Sequence, residues 1–205
     1  MERRELLKMI ALLTGGVVIG GDVFLSGCKT NNKKSEEKFS PVNIAMLDEV
    51  GETIIPTTNT PGAKAAEVGK FMQVYVTDCL SEPEQKTFTN GITALNGISK
   101  KMHDKDFVEC SPQQRHDVLI ALEQEAKAFN LQLKDKEKSS RDAAKTAMKE
   151  FKGEPVHYYT MMKQMILLGY FTSEIGSKQA LRFLPIPGKY DGAYPYKKGD
   201  KAWAI

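Results

Sequence analysis

Residues 40–56 read Ser-Pro-Val-Asn-Ile-Ala-Met-Leu-Asp-Glu-Val-Gly-Glu-Thr-Ile-Ile-Pro, and this stretch decides the fold class. Ser40 is a residue type that caps helix N-termini, and Pro41 suits the first helical position, where no amide hydrogen is needed. Ile44, Leu47, Val50 and Ile54 then recur on one helical face until Pro56, which cannot continue the ladder. The same grammar repeats downstream. Thr60-Pro61 opens a second segment with Val68, Phe71, Met72, Tyr75 and Cys79 on one stripe, although Met72–Thr77 also fits the alternation of a strand. Phe88, Ile92, Leu95 and Met102 mark a third helix, weakened by Gly91 and Gly97. Ser111-Pro112-Gln113-Gln114 is a capping box with proline inside the first turn, and Val118, Leu119, Leu122, Ala126 and Phe129 follow it. Residues 134–152 are charged with interspersed alanines, an exposed helix or a long connection. An apolar helix from Pro155 to Leu168 carries Tyr158, Met162, Met165 and Ile166, and a short one follows near 173–183. With no internal repeat and no run of patterned strands, the expectation is an all-α, small irregular helical domain over residues 41–183.

Residues 184–205 break the pattern. Pro185, Pro187, Gly188, Gly192, Pro195 and Gly199 oppose regular structure, while Tyr190, Tyr194, Tyr196 and Trp203 supply large adhesive rings. Such a strap either packs over its own helices or lies along a partner. Residues 177–205 hold six basic and two acidic side chains, whereas residues 41–176 carry a small negative excess.

The N-terminus is a different kind of sequence. Arg3 and Arg4, then Leu6, Leu7 and Lys8, precede a moderately apolar, glycine-rich stretch, too short and interrupted for a transmembrane helix. This resembles a twin-arginine export signal. It ends in Leu25-Ser26-Gly27-Cys28, which resembles a bacterial lipobox. Small residues before the cysteine admit a peptidase, and the Cys28 thiol accepts a diacylglyceryl group. Two or three acyl chains, at about 0.8 kcal/mol per buried methylene, hold a protein on a membrane where one does not. Residues 1–27 are therefore read as a signal peptide, and residues 28–40 as a lipidated cysteine followed by a polar tether. The expected location is the bacterial periplasm, lipid-anchored, reached by the twin-arginine route.

The 205 residues, 41% hydrophobic and 27% charged, suit one modest globular unit with attachments. A net charge of +3 gives no reason to expect nucleic-acid binding. No dinucleotide fingerprint, phosphate loop, nucleophile elbow or haem-attachment motif occurs, and no catalytic constellation assembles. Glu154 and His157 have di-iron spacing but lack a second copy, and His157, Met161 and Met165 share a helix face more suited to packing than to ligation. No metal site and no cofactor are expected in this chain. With Cys28 lipidated, Cys79 and Cys110 remain: a candidate disulfide, two buried thiols, or one thiol paired with another chain.

Three segments together resemble the gluconate 2-dehydrogenase subunit 3 family. They are Leu47 through Pro56 with Thr60-Pro61-Gly62-Ala63, Leu167 through Gly176, and the tail with Pro187-Gly188-Lys189-Tyr190, Gly192 and Trp203. The resemblance implies a non-catalytic small subunit of a glucose–methanol–choline-type flavin dehydrogenase that oxidises sugars or sugar acids. FAD would then reside in the large subunit, and haem c in a further cytochrome c subunit. It makes Gly169, Tyr170, Phe171, Tyr190 and Trp203 the candidate partner interface. The alternative is a free-standing periplasmic lipoprotein that binds a small ligand or an envelope component through its tail aromatics.

Overall fold

In a computed structural model, residues 39–186, 188 and 191–204 are described. The signal, lipidation and tether residues up to Lys38, including Arg3, Arg4, Leu6, Leu7, Lys8 and Cys28, lie outside them, as does Tyr190. The described residues begin one position before the expected cap. Phe39 is buried, and its ring stacks on Phe88 at 6.2 Å between centroids.

Helix α1 spans Pro41–Ile54, with the Ser40 hydroxyl accepting the Asn43 N–H at 3.3 Å. The second segment starts later than Thr60-Pro61 suggests. Residues 57–62 form a loop, Ala63–Ala66 a 3-10 turn, and α2 spans Val68–Cys79 after Glu67 turns into the left-handed region at φ 50°. The strand alternative for Met72–Thr77 does not occur. Helix α3, Glu82–His103, opens on a capping box in which the Ser81 N–H donates to the Glu84 carboxylate at 2.9 Å. A 3-10 turn at Phe107–Glu109 leads to α4, Pro112–Thr146, which starts at the predicted Ser111–Gln114 box. Helix α5 spans Tyr158–Thr172, and a single π turn follows at Gly176–Ala180.

Helix α5 is the axle of this unit, since it packs on all four other helices. Its Met162, Ile166 and Tyr170 are almost wholly shielded, together with Leu47 and Val50 of α1 and Met72 of α2. Gly91, which intrinsic propensity marks as a weak point of α3, is what lets α3 meet α5: a Cβ there would lie 2.3 Å from the Tyr158 ring.

The charged stretch after residue 134 divides between helix and connection. Helix α4 continues to Thr146, and the connection back to α5 is pinned to it by Glu137. The Glu137 carboxylate, itself buried, accepts the Glu154 N–H at 2.6 Å and pairs with Arg141 at 3.0 Å. The Arg141 guanidinium lies over the Phe151 ring at 5.3 Å.

Candidate functional site

The first two sequence segments singled out above meet at one seam, where α1 and α5 close over the 55–66 connection. The Glu52 carboxylate accepts the Thr57 N–H at 2.8 Å, the Thr57 hydroxyl at 2.7 Å and the Lys64 N–H at 3.1 Å. The Gly62 N–H then donates to the Thr57 hydroxyl oxygen at 3.1 Å. Burial would raise the Glu52 carboxyl, but these bonds and the Lys64 charge outweigh it and hold it below its ordinary value. Asp48 accepts the Gly69 N–H at 2.8 Å, which fixes the start of α2; there burial prevails over that bond and raises the carboxyl. Glu49 bridges Lys64 and Arg115. Arg115 also donates to the Phe107 carbonyl at 3.1 Å and the Val108 carbonyl at 2.6 Å, so α1, α4 and the turn between α3 and α4 are stitched by one guanidinium.

Tyr170 closes the seam from α5, its hydroxyl donating to the Pro61 carbonyl at 2.7 Å. Gly169 beside it admits the Phe71 ring of α2, which a Cβ would approach to 2.6 Å. Beyond Tyr170, the Ser173 hydroxyl donates to the Tyr170 carbonyl at 2.7 Å and accepts the Gly176 N–H at 2.9 Å. Each of these polar groups is spent on its own chain. A cleft of about 470 Å³ next to the seam is lined by Glu52, Thr57, Gln113, Arg115 and His116, yet each guanidinium nitrogen of Arg115 already donates within the chain.

The opposite side of α5 is chemically plain. This helix contains one charged residue, Lys163, which pairs with Glu123 at 2.9 Å and holds that carboxyl below its ordinary value. Its apolar residues run around the whole circumference, a pattern ordinarily found on helices covered on every side. Here one face is buried, while Leu167, Leu168 and Phe171 remain exposed, with Val74 of α2 also open. A shallow apolar hollow of about 160 Å³ continues from Leu168 to Tyr75, Leu80 and Met165.

The C-terminal tail closes on Arg182. Arg182 and Trp203 form an isolated parallel bridge, with the Arg182 N–H on the Ala202 carbonyl at 2.8 Å and the Ala204 N–H on the Arg182 carbonyl at 2.9 Å. The guanidinium lies over the Trp203 ring at 4.7 Å and the Tyr194 ring at 5.6 Å, and donates to the Tyr194 hydroxyl at 3.1 Å. Lys201 reaches the Gln179 carbonyl, so the clasp is tied to the π turn.

Compared with known families, residues 41–188 match the family model described as gluconate 2-dehydrogenase subunit 3. The chain belongs to that family. No curated protein and no solved structure matches it. The match runs from the first residue of α1 through the seam to the start of the tail. A gluconate 2-dehydrogenase subunit 3 is by its description one subunit of a dehydrogenase complex, which makes the accessory place expected from the sequence that of this chain.

Of the five residues expected to meet a partner, this subunit buries two. Gly169 and Tyr170 serve the seam, Phe171 and Trp203 are exposed, and Tyr190 is outside the described residues. Tyr170 therefore presents no surface, and the open neighbours of Phe171 are Leu167 and Leu168. The cysteines are not joined: Cys79 is exposed at the end of α2, while Cys110 is buried with its sulfur 3.2 Å from the Ser99 hydroxyl. Cys79 thus leaves the buried stripe on which the sequence put it.

His157 is the N-cap of α5, its Nδ1 accepting the Tyr159 N–H at 3.2 Å, and Met161 and Met165 are core residues. Glu154 pairs with Lys136. Among the described residues no group of three or more His, Cys, Asp or Glu side chains is placed to hold a metal, and no helix is long and apolar enough to cross a membrane. Arg182 is the residue that sequence reasoning missed. Its signal was a lone arginine followed within one short segment by Tyr190, Tyr194, Tyr196 and Trp203, the composition of a cation–π clasp.

Proposed function

We propose that this chain is the non-catalytic small subunit that exports, stabilises and moors a glucose–methanol–choline-type flavin dehydrogenase acting on sugars or sugar acids. The observation that carries the reading is α5, apolar all round with one face uncovered, in a chain whose family is a dehydrogenase subunit. Surfaces that meet another protein favour aromatic and aliphatic anchors with few charges. Phe171, flanked by Leu167 and Leu168, is such an anchor. Tyr170 and Gly169 act from beneath by fixing the helix that presents it.

The export step follows from cofactor chemistry. A flavoprotein must fold around FAD before it leaves the cytoplasm, so a folded-protein export route is required. A small subunit with the Arg3-Arg4 signal supplies that route for the complex, and acyl chains on Cys28 afterwards keep the dehydrogenase at the periplasmic face of a membrane, beside a cytochrome c subunit that accepts its electrons. Purification of the tagged chain from membranes is expected to bring a yellow, flavin-absorbing large subunit, and Phe171→Asp to lose it. Recovery of the chain alone, with an active dehydrogenase that is soluble in its absence, would overturn the reading. Replacing Arg3 and Arg4 by lysine is expected to strand the unprocessed complex in the cytoplasm.

A further inference from the structure

The tail differs from the open face of α5 in one chemical respect. The exposed α5 residues are uncharged, whereas the tail sets lysines among rings: Lys197, Lys198 and Lys201 lie between Tyr194 and Tyr196 on one side and Trp203 on the other. Lysine is depleted at protein–protein contacts. Tryptophan, tyrosine and lysine together are the composition of a water–lipid boundary, where the rings settle at headgroup depth and the ammonium groups meet anionic lipid. We propose that the Arg182-clasped tail is a second membrane contact, docking peripherally on an anionic lipid bilayer.

Three observations carry this. The first is charge complementarity. Residues 177–205 hold six basic and two acidic side chains against a slightly acidic body, so an anionic surface attracts this end of the molecule. One of those acids is turned inward: Asp200 accepts the Lys197 N–H at 3.0 Å and stands 4.0 Å from Arg182. Lys197 and Lys198 have no ion-pair partner among the described residues, so their charge faces solvent. The second is preorganisation. The bridge and the cation–π contacts hold Trp203 and Tyr194 edge to face at 5.8 Å between centroids, which lowers the entropy lost when they meet a surface. The third is apolar exposure beside the clasp. Leu184, Ile186 and Tyr196 are open, Ile186 at 81% and Tyr196 at 78%. Nothing in this needs lipid on Cys28 or the dehydrogenase, so the inference stands apart from the proposed function.

Trp203 is the sole tryptophan of the chain, so its emission reports on the tail alone. The experiment uses the full chain with Cys28→Ser, without the large subunit, and vesicles of phosphatidylethanolamine and phosphatidylglycerol or of phosphatidylcholine only. With the anionic vesicles, a blue shift and protection from acrylamide are expected, both reversed by high salt, and neither with phosphatidylcholine. Lys197→Ala combined with Lys198→Ala is expected to weaken vesicle affinity about thirty-fold, with unchanged helical circular dichroism. The two chains share the same N-terminal segment, so any difference between them belongs to the tail. Unchanged emission on anionic vesicles, or equal shifts with and without the two lysines, would overturn the inference. So would a shift produced by the flavoprotein subunit and not by vesicles, which would make the tail a protein contact.

Discussion

The seam and the tail both carry segments of the family resemblance and use them in opposite directions. At the seam, Asp48, Glu49, Glu52, Arg115 and Tyr170 are all consumed by backbone groups or by one another. In the tail, one residue, Arg182, gathers Tyr194, Trp203 and Asp200, while Leu184, Ile186, Tyr196, Lys197 and Lys198 stay exposed. Residues that make a family recognisable are thus not thereby its working surface. The Ile-Pro and Pro-Gly-Ala segments, which carry part of the resemblance, build that junction, and the open face of α5 beside it has no motif of its own.

The sharpest way to break this contrast uses two adjacent residues. Tyr170→Ala removes a buried ring together with its bond to Pro61, and is expected to destabilise the domain by about 3 to 5 kcal/mol in chemical denaturation. Tyr170→Phe, which loses only the hydroxyl, should lower stability by about 1 kcal/mol. Phe171→Ala should change stability by less than about 1 kcal/mol yet reduce recovery of the flavoprotein. Equal stability losses at the two positions would dissolve the distinction between seam and open face.

A smaller effect is expected at Arg115. Arg115→Ala leaves the Glu49 carboxylate with Lys64 alone and uncaps the Phe107 and Val108 carbonyls, which amounts to about 2 kcal/mol for charge-assisted bonds at a partly shielded site. Arg182→Ala in the tail removes as many contacts, but from an exposed clasp. The expected loss of global stability is below about 1 kcal/mol, with Trp203 becoming more accessible to acrylamide. Native-state thiol labelling of the chain with Cys28→Ser tests the burial difference of the other two cysteines: Cys79 should react at once and Cys110 only on unfolding. Absence of any reactive thiol in the native chain would mean that the two are joined after all.

What the sequence made legible was local. Ser40 and Ser111 announce their helices because a cap and its proline act within one turn, and the apolar stripes of α1 and α4 follow from period alone. What stayed hidden required a distant partner. Gly91 reads as a weak point until Tyr158 is packed against it, and Glu137 reads as one more surface acid until the chain returns at Glu154. The burial of Tyr170 stayed hidden for the same reason. Nothing in a Gly-Tyr-Phe run says which ring faces inward, and only the Pro61 carbonyl, far away in sequence, decides it. In the tail, counting charges obscured that Arg182 is an internal clamp while Lys197 and Lys198 are not.

The smallest expected effect concerns how α5 is held at its N-terminus, and it has a sign that can be worked out. His157 caps the helix with an unprotonated Nδ1 and lies edge-on to Phe129 and close to Tyr158, its Nε2 3.6 Å from Glu125. Burial disfavours the imidazolium more than the Glu125 carboxylate favours it, so the group stays neutral to lower pH than in the unfolded chain. A titrating group whose folded pKa is depressed contributes stability that is complete above its unfolded value, about 6.5, and is lost as the pH falls through the folded value. Protonation would also take away the lone pair that accepts the Tyr159 N–H. Denaturation midpoints should therefore fall as the pH drops below about 6.5, and His157→Asn, which retains a capping side chain without a titrating ring, should flatten that limb while leaving the midpoint near pH 7.5 little changed. If the substituted chain shows the same slope, the cap of α5 is indifferent to protonation, because the depressed carboxyls of Glu52 and Glu123 lose their stabilisation only at lower pH, below their ordinary value of 4.5.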